Sequence, residues 1–159
     1  MSSQLRVDKI LPVDGAPTGG GGGIVQVKQF TLTNTANGGF LLETSSSSFT
    51  ATPLLLAITP KFSTSKILIN VNSSSYNGGS GHTVYTIYRD STNIGGSTYG
   101  MADFTGSHNW RPFSMMFLDS PSTTSSVTYR VYGRTTNSTL YLGGDGDMVN
   151  AITLMEVSA

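Results

Sequence analysis

The side chains best suited to recognition are aromatic and amide residues in three polar segments, SSSYNGGSGH, TYGMADF and GSHNWRP. Aromatic rings pack against the C–H faces of sugars, and short polar side chains hydrogen-bond sugar hydroxyls. These segments predict a glycan-binding surface, and its candidate residues are Tyr76, Asn77, Tyr99, His108, Asn109 and Trp110. The competing interpretation is structural, because a single tryptophan that begins a strand also suits the core or a subunit contact.

The two histidines show no recognisable catalytic pattern. His82 and His108 both lie beside glycine or serine in loop-like sequence. A catalytic histidine needs a nucleophile and an orienting carboxylate that converge on it, and the sequence has no G-x-S-x-G nucleophile elbow. Cysteine is absent, which rules out disulfides, thiolate metal sites and cysteine nucleophiles. We therefore expect a protein that is not an enzyme and has no cofactor.

Two carboxylates near the C-terminus resemble the start of a calcium loop. Asp145 and Asp147 lie in the stretch Gly143-Gly-Asp-Gly-Asp147, but the other ligands and the distal glutamate of that motif are missing. A tight turn before the last strand explains the stretch better, and we predict no metal site. Asp119, two residues before Pro121, is expected to cap a loop.

The amino-acid composition limits the classes of partner that we expect the protein to bind. Only 11% of the 159 residues are charged and the formal net charge is zero, so no basic surface attracts nucleic acid or an anionic membrane. No apolar run approaches the roughly 18 residues that cross a bilayer. A surface of serine, threonine, asparagine and glycine is polar but uncharged, which favours close association of copies. We expect a homo-oligomer.

A glycine run divides the sequence into an arm and a body. Residues 19–23 are all glycine, so no helix or strand propensity holds this hinge between residues 1–18 and 24–159. The arm has aliphatic residues interspersed with charged ones, and prolines that disfavour a helix. These aliphatic residues are Leu5, Val7, Ile10, Leu11 and Val13. We predict a docking peptide that orders against another protein; the alternative is a disordered terminus.

The body alternates apolar and polar residues with period two between turn-forming segments, which indicates β-strands. The predicted strands are Ile24–Thr33, Phe40–Leu42, Leu54–Thr59, Lys66–Asn72, His82–Arg89, Ile94–Met101, Trp110–Leu118, Val127–Arg134, Leu140–Leu142 and Met148–Val157. Turn formers after Arg89 predict a hairpin from Thr83 to Tyr99. The fold class is all-β, an antiparallel, jelly-roll-like β-sandwich with an extended N-terminal arm.

Two of the predicted strands present one large apolar face each. Phe113, Met115, Phe117, Tyr129 and Val131 are expected on adjacent strands, facing the core of the sandwich. The opposite face of the same strands then carries the predicted subunit contact. It consists of Met116, Leu118 and Tyr132.

Several longer motifs resemble a known group of proteins. They are LRVDKILPVDG, ITPKFSTSKILINVN, YRDSTNIGGS, FLDSPSTTSSVTYRVYG and ITLMEVSA. Together they resemble tail-fibre-like virion proteins of marine and freshwater tailed phages, particularly cyanophages. The resemblance implies a homotrimeric β-sandwich on the virion surface, fixed to other virion proteins by an N-terminal peptide.

The function that follows is a structural virion protein, a short tail fibre that attaches to a host surface glycan. Typical fibres have a shaft between anchor and tip, which this sequence lacks. The alternative is therefore a capsid decoration protein held by its arm. A third interpretation is a soluble carbohydrate-binding module, in which the arm is dispensable.

Overall fold

The computed structural model describes residues 23–33, 39–106, 108–144 and 148–158. In these ranges the chain forms eleven strands. They are β1 (Ile24–Thr33), β2 (Leu42–Thr44), β3 (Thr50–Ile58), β4 (Lys66–Asn77), β5 (Thr83–Arg89), β6 (Thr92–Asn93), β7 (Ala102–Phe104), β8 (Trp110–Asp119), β9 (Val127–Thr135), β10 (Leu140–Leu142) and β11 (Val149–Val157). No helix in the described ranges is long and apolar enough to cross a membrane. The predicted docking arm and most of the glycine hinge lie outside these ranges.

The strands form two antiparallel sheets packed face to face. Sheet A contains β1, β11, β4, β10 and β2 in that order, and β8 pairs along the other edge of β4. Sheet B contains β3, β9, β5 and β6, with β7 also paired to β5. The predicted antiparallel β-sandwich is confirmed.

The core lies between the sheets because alternate residues of each strand point inward. On β4, Ile67, Ile69 and Val71 are fully buried, and on β9 Tyr129 and Val131 are fully buried opposite them. Burying each such side chain contributes about 1.5–3 kcal/mol. This alternation is the pattern from which the strands were predicted.

The predicted strand Ile94–Met101 is wrong. Bends occupy that segment, and the chain pairs with β5 on either side of it through β6 and β7. Gly100 has a φ of 58°, and a Cβ there would lie 2.2 Å from the Tyr85 carbonyl oxygen. Because the backbone at Gly100 leaves no room for a side chain, the segment forms a tight loop. The expected hairpin therefore ends at Asn93 and not at Tyr99.

The prediction that β8 and β9 are adjacent is also wrong. β8 belongs to sheet A and β9 to sheet B, so the polar loop between them crosses from one sheet to the other. The prediction of inward-facing residues holds for Phe113 and Met115, which are buried, and Phe117 is half-buried. Leu118 and Tyr132 consequently lie on opposite outer surfaces and cannot belong to one contact.

Asp119 does not cap a loop. It is the last residue of β8, is 7% exposed, and accepts hydrogen bonds from Arg89 Nη1 at 2.9 and 2.8 Å and from the Tyr129 hydroxyl at 2.7 Å. Burial and then this hydrogen bond raise the pKa of Tyr129. Because Arg89 and Tyr129 belong to sheet B, the carboxylate joins the two sheets at one end of the core.

A second buried carboxylate anchors the corner between β3 and β4. Glu156 is fully buried on β11 and accepts hydrogen bonds from Gln26 Nε2 at 2.5 Å and from the backbone nitrogens of Lys61 and Phe62 at 2.7 and 3.3 Å. Burial alone would raise the pKa of Glu156, but these hydrogen-bond donors hold it below its usual value. The corner is thus tied to sheet A through an ionised side chain.

Candidate functional site: an aromatic cleft

Four outward-facing residues line up across sheet A at the far end of β4. Glu43 pairs with Tyr141, Tyr141 with Tyr76, and Tyr76 with Trp110, so β2, β10, β4 and β8 each contribute one residue. On β10, the two neighbours of Tyr141, Leu140 and Leu142, are buried in the core. Strand alternation therefore places three aromatic rings and one carboxylate in a row on the outer surface.

Phe40, just before β2, completes a ring of four aromatic side chains. Its ring centroid lies 5.8 Å from that of Trp110, nearly parallel to it, and 4.7 Å from that of Tyr141. Tyr76 lies 5.3 Å from Trp110 and 5.6 Å from Tyr141. The four rings and Gly78 line an open cleft of about 460 Å³. That volume is in the range of small-ligand sites, which are mostly apolar.

The cleft remains accessible although its rings contact one another. Trp110 is 38% exposed, and the other three rings are half-buried. Trp110 is therefore not a core residue, which was one of the two structural alternatives to a recognition role; the other was a subunit contact. Its exposed ring and the neighbouring tyrosine hydroxyls offer both an apolar surface and polar groups.

Two more of the predicted residues flank this cleft. The His108 ring stands edge-on to Tyr76 with centroids 6.3 Å apart, and its backbone nitrogen donates to the Asn77 carbonyl at 2.8 Å. Asn109 is exposed and directly precedes Trp110. The contact with Tyr76 places His108 to offer polar atoms at the rim, whereas Asn109 is close to the cleft only through its sequence position.

Asn77 has a positioning role. It is 5% exposed; its Nδ2 donates to the Gly81 carbonyl, and its Oδ1 accepts from the Gly79 nitrogen at 3.0 Å and from the Ser138 hydroxyl. These bonds fold the loop after Tyr76 back on itself. A Cβ on Gly81 would lie 1.4 Å from the Thr136 carbonyl oxygen, so the loop is packed tightly against the start of the connection between β9 and β10. The Asn77 side chain is occupied and does not face a ligand.

Tyr99 is not part of the cleft. It is 66% exposed in the loop between β6 and β7, where it lines a separate cavity of about 220 Å³ with His82 and Arg134. The ring centroids of His82 and Tyr99 are 6.4 Å apart, and His82 Nδ1 lies 3.0 Å from the Asp103 carboxylate. The candidate residues thus divide between two places.

Sequence reasoning missed Phe40, Tyr141 and Glu43. Tyr141 could have been found, because it lies between two leucines in a predicted strand and must face away from the core if they face it. Nothing in the sequence around Phe40 or Glu43 indicates their roles. Burial and then the neighbouring Glu43 carboxylate raise the pKa of Tyr141.

The described ranges contain no group of three or more histidine, cysteine, aspartate or glutamate residues that could hold a metal ion. Asp145 and Asp147 lie outside these ranges. The structure brings together an aromatic surface with polar groups at its edge. Such a surface is suited to binding a ligand.

No protein-family model matches the chain, and no curated protein shows significant sequence similarity to it.

Proposed function

We propose that this chain is a structural phage virion protein, a short tail fibre that presents the aromatic cleft to a glycan on the host surface. The observation that supports this most is the placement of the cleft relative to Gly23, the described residue from which the chain continues toward the arm. Gly23 and Ser158 are hydrogen-bonded at the Lys66 end of β4, with the Ser158 nitrogen 2.9 Å from the Gly23 carbonyl oxygen. The cleft lies at the opposite end of the same strand.

The separation of these ends is large for a domain of this size. Ten residues separate Lys66 from Tyr76 on β4, which corresponds to about 33 Å at the rise of an antiparallel strand. An arm that continues from Gly23 and docks on a particle would hold the cleft on the side away from that particle. A protein that attaches a particle to its host needs the binding site on this outer side.

The chemistry of the cleft favours a sugar over most other ligands. Four rings present apolar surface, while the hydroxyls of Tyr76 and Tyr141, the carboxylate of Glu43 and the indole nitrogen of Trp110 supply hydrogen-bonding groups. A hexose has the same mixture, with C–H faces and hydroxyl edges. The cleft is also open, as binding to a long surface polysaccharide requires.

The outer face of sheet A also supports the proposed homotrimer. At its Lys66 end, Val27, Met155, Leu68 and Leu118 pair in register across four strands, and Val27 and Leu118 are 54% and 48% exposed. The next row contains Met116, 69% exposed, with Asn70, Thr153 and Gln29. None of these eight residues is charged, so a second copy meets no like-charge repulsion there.

This surface replaces the predicted contact of Met116 and Leu118 with Tyr132. Tyr132 lies on sheet B, where its ring stacks on Tyr88 with centroids 4.0 Å apart. A contact made by sheet A near Gly23 lies about 26 Å along β4 from the cleft, eight residues away, and leaves the cleft free.

A capsid decoration protein is the second candidate, and the same apolar row favours it. Because the row lies at the end of the sandwich where the arm joins, it is also placed to contact the surface on which the arm docks. Locating the protein on the particle by cryo-electron microscopy distinguishes the two: density at the tail supports the fibre, and density on the capsid supports decoration.

Replacement of Trp110 by alanine tests the binding function. Loss of an aromatic anchor typically costs about 2 kcal/mol, so we expect about thirty-fold weaker binding of the full-length protein to a panel of bacterial surface polysaccharides. Tyr99→Ala removes an exposed ring outside the cleft and should bind like the wild type. If the wild type binds no polysaccharide, or if Trp110→Ala binds as well as the wild type, the cleft is not a glycan site.

A further inference from the structure

The charge around the cleft indicates which class of glycan it takes, an inference that rests on the proposed glycan-binding function. The residues lining the cleft are Phe40, Tyr76, Gly78, Trp110 and Tyr141, none of which is charged. The one side chain in the same cross-strand row that is charged at neutral pH is Glu43, which is exposed and directly opposite Tyr141. The fixed charge at this edge of the cleft is therefore negative.

The cationic side chain nearest to Trp110 in the sequence makes its contacts outside the cleft. Arg111 follows Trp110 on β8 and pairs with Ser75. It therefore lies next to the outward-facing row that contains Trp110, and not in that row. Its Nη1 donates to the Thr105 carbonyl oxygen at 3.1 Å, and another guanidinium nitrogen packs at Gly106. No lysine or arginine lines the cleft. A bound sulfate or carboxylate group would thus find no cationic partner among the lining residues.

The aromatic rings themselves disfavour an anion. The face of an aromatic ring carries partial negative charge, and a desolvated anion without a paired cation is costly. A hydroxyl group suffers neither penalty and can donate to a carboxylate. Glu43 is an acceptor of this kind at the end of the row, directly opposite Tyr141.

We propose that the cleft selects uncharged glycans and excludes anionic ones, with Glu43 accepting a hydrogen bond from a sugar hydroxyl at the rim. In this arrangement the four rings supply the contact area, the uncharged lining leaves an anion without a partner, and the carboxylate adds to the discrimination. Sialylated, sulfated or uronate-containing chains bind weakly because no lining residue compensates their charge.

The test uses the full-length protein and a panel in which each neutral bacterial oligosaccharide is printed beside a uronate-containing or sulfated counterpart. For the wild type we expect neutral members to bind at least about ten-fold more tightly than their counterparts, because the anion lacks a partner. Glu43→Gln keeps an acceptor oxygen but removes the charge. At a separation of about 7 Å in a water-like dielectric, this should strengthen anionic binding about three-fold.

Asp103→Asn is the matched control, since it removes one negative charge near Tyr99 and His82, away from the cleft. It should leave the neutral-to-anionic ratio unchanged. Equal or tighter binding of the anionic members by the wild type would overturn the selectivity while leaving glycan binding intact. The assignment to Glu43 is wrong if Glu43→Gln and Asp103→Asn give the same ratio. A wild type that binds no member of the panel would refute the proposed function and this inference together.

Discussion

Replacement of Asp119 by asparagine should lower the free energy of unfolding by about 3 kcal/mol, because it removes one partner of a largely buried ion pair. The Asp119 side chain is 9% exposed and that of Arg89 is 27% exposed, with 2.8 Å between the two charged groups. Breaking such a pair typically costs about 3–5 kcal/mol, since the remaining charge stays buried without compensation. Water reaches part of the Arg89 guanidinium, so the lower end of this range applies.

The structure adds a second reason for a large effect. Asp119 is on sheet A, whereas its two partners, Arg89 and Tyr129, are on sheet B. Asparagine retains an acceptor oxygen of similar shape, so the variant isolates the charge without opening a cavity. A loss of about 3 kcal/mol corresponds to a melting temperature about 6–12 °C lower for a domain of this size.

The measurement is thermal unfolding followed by circular dichroism at one fixed protein concentration, since association of copies affects the midpoint. Asp103→Asn is the control because its partner His82 has a 44% exposed side chain. Exposed pairs contribute about 0–1 kcal/mol, so this variant should melt close to the wild type. If Asp119→Asn loses no more stability than Asp103→Asn, then Asp119 does not join the sheets in the way described.

Two further predictions concern acid stability and the arm. Because the pKa of Glu156 is lowered on folding, its contribution is full above the unfolded pKa of about 4.3 and is lost as the pH falls through the lower folded pKa. Denaturant unfolding between pH 5 and pH 3 should therefore show a steeper loss for the wild type than for Glu156→Gln; equal slopes would contradict it. Deleting residues 1–18 should leave a folded trimer by light scattering with a nearly unchanged melting temperature, but abolish incorporation into particles. A monomer would place the subunit contact in the arm, and a large fall in melting temperature would make the arm part of the domain.

Local residue patterns were sufficient to predict most of the strands. β1 and β10 have the bounds that the sequence predicts, and β5, β8, β9 and β11 differ from prediction by one residue at an end. These strands follow from period-two alternation, which depends only on neighbours in sequence. The segment Ile94–Met101 failed because its glycines allow a loop that alternation cannot reveal.

The candidate site was predictable only in part. Tyr76, His108 and Trp110 were found because aromatic residues in polar segments are visible in the sequence, and the structure brings them together. Tyr99 has the same local signature but lies elsewhere. No local pattern distinguishes it from the others, because the difference is set by which strands pair.

The sequence by itself therefore determined the period of most strands and the low charge, while the division into arm and body stays a prediction. Tertiary structure decided which residues became neighbours, since strand register and sheet membership depend on contacts between distant segments. It separated β8 from β9 into different sheets, buried Asp119 between them, and placed Glu43, Tyr141, Tyr76 and Trp110 in one row. Residues from 43 to 141 meet there only because four strands pair in a single register, a choice made by the common core and not by any one strand.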